Sequence, residues 1–100
     1  MATIDEELRE AEVAQEALKT LSTIDGTIDA LSKAKDFARA QQATATLSSE
    51  EVLNNSRHEV VIAFNGLIRS LQQGLSAPDR VEGARRAVED WVRELKALQA

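Results

Sequence analysis

The sequence predicts an all-α fold: a small antiparallel helical bundle of four helices, at about residues 4–22, 24–43, 49–73 and 77–98. Three observations lead there. Apolar residues recur at three- and four-residue spacing in four separate stretches, the period of one helix face. Nowhere do they alternate with polar residues as a half-buried strand requires. Two of the stretches open on a Ser/Thr-x-x-Glu box, a helix-start signature that satisfies orphan backbone N–H groups reciprocally. The alternative is a bundle of three helices whose first element runs unbroken through residues 22–27. Either way, residues 1–100 form a single helical domain.

The first helix starts at Thr3, with Glu6 completing the box, and carries Ile4, Leu8, Ala11, Ala14, Leu18 and Leu21 at helical spacing. The second carries Ile24, Ile28, Leu31, Ala34 and Ala38. From Gln41 the polar, threonine-broken tract to Thr46 reads as a fraying end and a loop. The third helix begins at Ser48, where Ser48-x-x-Glu51 repeats the box. It continues through Leu53, Val60, Phe64, Leu67, Leu71 and Leu75, with Gly74 as its C-terminal stop. Pro78, tolerated in a first turn, opens the fourth helix. Val81, Ala84, Val88, Trp91, Val92, Leu95 and Leu98 form the cleanest amphipathic stripe of the chain. A connection of roughly three to five residues between the third and fourth helices makes them antiparallel.

The stretch from Thr20 to Asp29 decides between four helices and three. At ~100° per residue, the apolar stripes of residues 4–18 and 24–38 differ by roughly 100–130° around one straight helix. A continuous helix would show apolar faces in two directions, whereas a break lets both halves face one core. Gly26 costs ~1 kcal/mol inside a helix relative to alanine. Ser22, Thr23, Asp25 and Thr27 favour caps or turns, so a break or sharp bend near 22–27 is expected. The triplet Thr-Ile-Asp at 3, 23 and 27 reads as a repeated helix start, threonine capping and aspartate favoured by the helix dipole.

Composition narrows the function. Hydrophobic residues make up 43% of the chain, but sixteen of them are alanine, ten before Thr46. The larger apolar side chains suffice for one thin core, and a chain of this size buries only a little over ~60% of its unfolded surface. Self-association is therefore an open alternative to a monomer. Without cysteine, disulfides, thiol catalysis and cysteine zinc sites are out. No apolar run approaches the ~20 residues that span a bilayer. The start, with Asp5, Glu6 and Glu7, lacks the basic and apolar regions of a secretory signal, so no membrane association and a cytoplasmic location are expected. The net charge of −5 lies mostly in residues 1–19, where six acids meet only Arg9 and Lys19. Nothing supplies the clustered positive charge of nucleic-acid binding. Arg80, Arg85 and Arg86 are interleaved with Asp79, Glu82, Glu89 and Asp90, the look of a salt-bridged exposed face.

Catalytic chemistry finds little support. His58 is the single histidine, flanked by Arg57 and Glu59 on what reads as a helix surface. Histidine phosphotransfer domains place a small residue and a lysine after theirs, whereas here Val60, Val61 and Ile62 follow. Helical chorismate mutases need arginines and a lysine in a spread that Arg9, Lys35 and Arg39 do not reproduce. A bundle carboxylate metal site uses Glu-x-x-His, but Asn55 stands three residues before His58. The four glycines are scattered, so no phosphate-cradling loop exists.

No catalytic residue and no cofactor is assigned. The expectation is a non-catalytic protein-interaction module: an assembly factor, an adaptor or a small inhibitor that binds a protein partner through helix faces. The alternative is a phosphorelay component or other compact helical enzyme using His58. Interface candidates are Ile62, which projects away from the main stripe of its helix, and Glu6, Glu10, Glu12 and Glu16, suited to a partner with a basic surface. The apolar run Val60-Val61-Ile62-Ala63-Phe64 reads as a central buried helix or a helix with a second contact surface.

Overall fold

The computed structural model describes residues 3–21, 23–44 and 51–99. Among them are four α-helices and no strand: α1 (Ile4–Thr20), α2 (Ile24–Thr44), α3 (Glu51–Gln72) and α4 (Pro78–Gln99). All bounds fall within two residues of those expected. α2 runs through Gln41 and Gln42 to Thr44, because glutamine and alanine favour helix and outweigh the lone threonine. The Ser48 cap expected for α3 lies outside the described residues.

The first junction is a break, so the three-helix alternative falls. Leu21 takes the left-handed conformation (φ 45°, ψ 39°) and donates its N–H to the Ala17 carbonyl, the αL stop normally made by glycine. Thr23 then caps α2. Its hydroxyl accepts from the Gly26 N–H at 3.0 Å, and the Thr27 hydroxyl donates to the Thr23 carbonyl at 2.7 Å. Gly26 is therefore not the break itself. A Cβ at Gly26 would lie 2.6 Å from the Thr23 hydroxyl oxygen, so the missing side chain admits the cap. Two Thr-Ile-Asp triplets do open helices, at Thr3 and Thr23; the third, at Thr27, lies inside α2.

Gly74, at φ 77°, ends α3 as expected. The Leu75 N–H reaches the Ser70 carbonyl at 2.9 Å and the Gly74 N–H reaches Leu71 at 3.0 Å, the paired bonds of a Schellman motif. Ala77 precedes Pro78 with φ 41°, and its carbonyl accepts the N–H groups of Arg80 and Val81 that begin α4.

Each helix packs against two others in a closed ring, α1 against α2 and α4, α3 against α2 and α4. The backbones of the diagonal pairs α1/α3 and α2/α4 stay apart, although long side chains of α1 and α3 meet across the core. This is an up-down-up-down bundle: Gln99, closing α4, donates to Asp5 at the start of α1. At the other end Leu21 and Ile24 share a hollow with Leu71 and Val81. The bundle measures 40 × 21 × 19 Å between Cα extremes, close to the ~33 Å of a 22-residue helix plus loops. Its core is unequal. α1 and α2 contribute Ala11, Ala14, Ala34 and Ala38, and α3 and α4 contribute Phe64, Leu67, Trp91 and Leu95. Alanine lets the first two helices approach closely, and the bulky residues opposite fill the space.

Leu21, Ile24, Leu75 and Leu98, assigned above to core stripes, are exposed. All four sit at or beyond a helix end, where the stripe runs past the last neighbouring turn. α3 is not a central buried helix either. Its backbone packs against α2 and α4 on two sides, and Ile62 is 55% exposed on its outer side.

Candidate functional site

A buried polar cluster crosses the core. Glu7 (1% exposed) lies in phase with Ala11, Ala14 and Leu18 on the inner face of α1; Arg57 (2%) lies in phase with Leu53, Val60 and Phe64 on α3. The guanidinium grips the carboxylate as a fork, Arg57 Nε to Glu7 Oε2 at 2.7 Å and Nη2 to Oε1 at 2.6 Å. Trp91 Nε1 of α4 donates to the same Oε2 at 2.7 Å. Arg57 Nη1 donates to Asn54 Oδ1 at 2.8 Å. No buried side-chain nitrogen or oxygen among the described residues lacks a partner, the condition under which a buried ion pair is tolerated. Arg57, placed above on the helix surface beside His58, is thus a core residue. Sealed from solvent, the cluster sets the register of three helices rather than meeting a solute. A signal for it existed: an acid and a base each occupy a core-phase position of an otherwise apolar stripe.

The accessible candidates lie elsewhere. On α1, Glu6, Glu12 and Glu16 are exposed and Glu10 is half-buried. None of the four takes part in an ion pair among the described residues. The described salt bridges are Asp29–Lys33 on α2, the buried Glu7–Arg57, and Glu82–Arg85, Glu82–Arg86 and Asp90–Arg93 along α4. Glu6 also serves the cap, its N–H donating to the Thr3 hydroxyl oxygen at 3.1 Å. Val13, 51% exposed, sits one turn from both Glu10 and Glu16 and so forms an apolar centre within this acidic face. α4 couples part of its charge internally, Glu82 with Arg85 and Arg86 and Asp90 with Arg93, whereas Arg80, expected in the same salt-bridged face, has no ion pair among the described residues.

Ile62 does not join that surface. α1 and α3 occupy opposite corners of the ring, so the outer faces bearing Val13 and Ile62 point apart. His58 is exposed on α3, and no group of three or more His, Asp or Glu side chains among the described residues is placed to hold a metal. No helix among them is long and apolar enough to cross a membrane.

At the bundle end that carries the α1–α2 and α3–α4 turns, Leu21, Ile24 and Leu75 are exposed, and Leu21 and Ile24 border a hollow of about 90 Å³ partly walled by Leu71 and Val81. Sequence periodicity assigned these leucines and isoleucine to the core and so missed the apolar end. Comparison with protein-family models, with curated proteins and with solved structures finds no match.

Proposed function

We propose that the chain is a non-catalytic protein-interaction module that engages a partner with a basic surface through the outer face of α1. One observation carries this reading: four carboxylates of that face have no ion-pair partner among the described residues and surround exposed Val13, whereas on α4 Glu82 and Asp90 are paired within their own helix. Unpaired charge around an apolar centre is the layout of an interface, with charge setting encounter rate and partner choice and the apolar contact excluding water. An assembly factor, an adaptor and an inhibitor of a protein with a basic surface all use such a face.

The test is affinity capture from the native host with the wild-type chain and with a variant carrying Glu6→Gln, Glu10→Gln, Glu12→Gln and Glu16→Gln. Glutamine keeps the capping box intact at Glu6, so only charge changes. A partner retained by the wild type at low salt should be lost by the variant. It should also be lost at about 1 M salt, where the Debye length falls to about 3 Å. Retention of the same proteins by both forms, indifferent to salt, would overturn the proposal. Light scattering across concentration separates this from self-association.

A further inference from the structure

A second feature lies away from α1. A groove of about 560 Å³ runs between the C-terminal half of α3 and the start of α4, and its walls include Asn65, Gly66, Arg69, Ser70, Ser76 and Arg80. Arg57, Arg85, Arg86 and Arg93 each engage a carboxylate. The guanidinium groups of Arg69 and Arg80 have no hydrogen bond or ion pair among the described residues, although the chain carries a net charge of −5. Two free cations share one cavity in an acidic protein.

The seat of Arg80 is specific. A Cβ at Gly66 would lie 2.6 Å from Arg80 Nη1, so the guanidinium rests against the α3 backbone through the gap that glycine leaves. Ser70, 7% exposed, lines the wall. α4 starts at the rim with Ala77 in its cap position. The positive end of the helix dipole adds to the field. The acids of that turn do not close the site: Asp79 is not part of its walls, and Glu82 is held by Arg85 and Arg86.

We propose that this groove binds a small dianion, a phosphate ester or a dicarboxylate, held between the guanidinium groups of Arg69 and Arg80. Guanidinium presents paired donors that match either oxyanion, and the volume falls within the range of small-molecule sites. The site is independent of the α1 face, and the fourfold Glu→Gln variant retains it.

The experiment is a titration followed by two-dimensional amide and arginine Nε–H NMR, with inorganic pyrophosphate in one arm and citrate in the other, at constant low ionic strength. Saturable shifts confined to Gly66, Ser70, Ser76 and the side chains of Arg69 and Arg80 are expected. Saturation in the pyrophosphate arm alone assigns a phosphate ligand, and in the citrate arm alone a carboxylate. Arg69→Gln and Arg80→Gln should each weaken binding about tenfold or more, while Arg39→Gln on α2 leaves it unchanged. Gly66→Ala is the sharper variant. It displaces only the tip of a flexible side chain, so the fold persists with an unchanged or higher melting temperature while affinity drops several-fold. The proposal is overturned by the absence of saturable shifts in both arms at concentrations on the order of 10 mM. Equal response of arginines outside the groove, or wild-type affinity in Gly66→Ala and both groove arginine variants, would overturn it as well.

Discussion

Replacing Glu7 by alanine removes the single acceptor shared by Arg57 Nε, Arg57 Nη2 and Trp91 Nε1. At 2% and 0% exposure, neither side chain reaches water to recover the loss. Stranding one member of a buried ion pair costs about 3–5 kcal/mol. A 100-residue domain is stable by about 5–15 kcal/mol in total, so Glu7→Ala consumes a large share. At about 4–8 °C per kcal/mol for a domain of this size, the melting temperature should drop by at least ~12 °C. Arg57→Ala should cost a similar amount, because it leaves the carboxylate buried with only the indole N–H. The paired variant Glu7→Leu with Arg57→Met tells whether these costs belong to one unit. It removes both charges at similar volume and strands mainly the Trp91 N–H, for about 1–3 kcal/mol. The double variant should therefore be more stable than either alanine variant, its cost falling at least about 3 kcal/mol short of their sum. Urea unfolding reads this twice, by far-UV circular dichroism and by the fluorescence of Trp91, the one tryptophan of the chain. Single losses under about 1 kcal/mol, or costs that add to within about 0.5 kcal/mol, would refute the reasoning.

Three further outcomes follow from the helix ends and the surface, each measured by the same unfolding curves. Thr23→Ala removes the hydroxyl that accepts from Gly26 and should cost about 1 kcal/mol. Leu21 and Gly74 both hold left-handed backbone, so exchange of residue type should act in opposite directions: Leu21→Gly should stabilise by up to about 1 kcal/mol, and Gly74→Ala should destabilise by about 1–2 kcal/mol. Arg93→Gln breaks the exposed pair with Asp90 and should change stability by less than about 1 kcal/mol.

Helix ends were legible because their signals are local. Thr3 caps α1, Gly74 stops α3, and Pro78 opens α4; each acts through groups within about four residues along the chain. The break between α1 and α2 could be argued from stripe direction alone, since one straight helix cannot turn two separate apolar arcs toward one core. Sequence reasoning failed at the ends of those stripes, at Leu21, Ile24, Leu75 and Leu98. Periodicity reports which face a residue occupies, and not whether a neighbouring helix extends far enough to cover it. It also failed at Arg57, which was read by residue type when its phase with Leu53 and Val60 pointed inward.

By itself, the order of residues determined the four helices, the α1–α2 and α3–α4 junctions and most of the faces that meet, because those follow from backbone hydrogen bonding and side-chain period within a few residues. Tertiary structure alone decided that Glu7 meets Arg57 and Trp91, partners 50 and 84 positions away along the chain. It also decided that Ile62 and Val13 point apart, and that Arg69 and Arg80 share a groove through the gap at Gly66. These depend on which helices become neighbours and at what height they align. That alignment comes from closing the ring around an alanine-lined half and a bulky half, a balance over the whole core that no single segment carries.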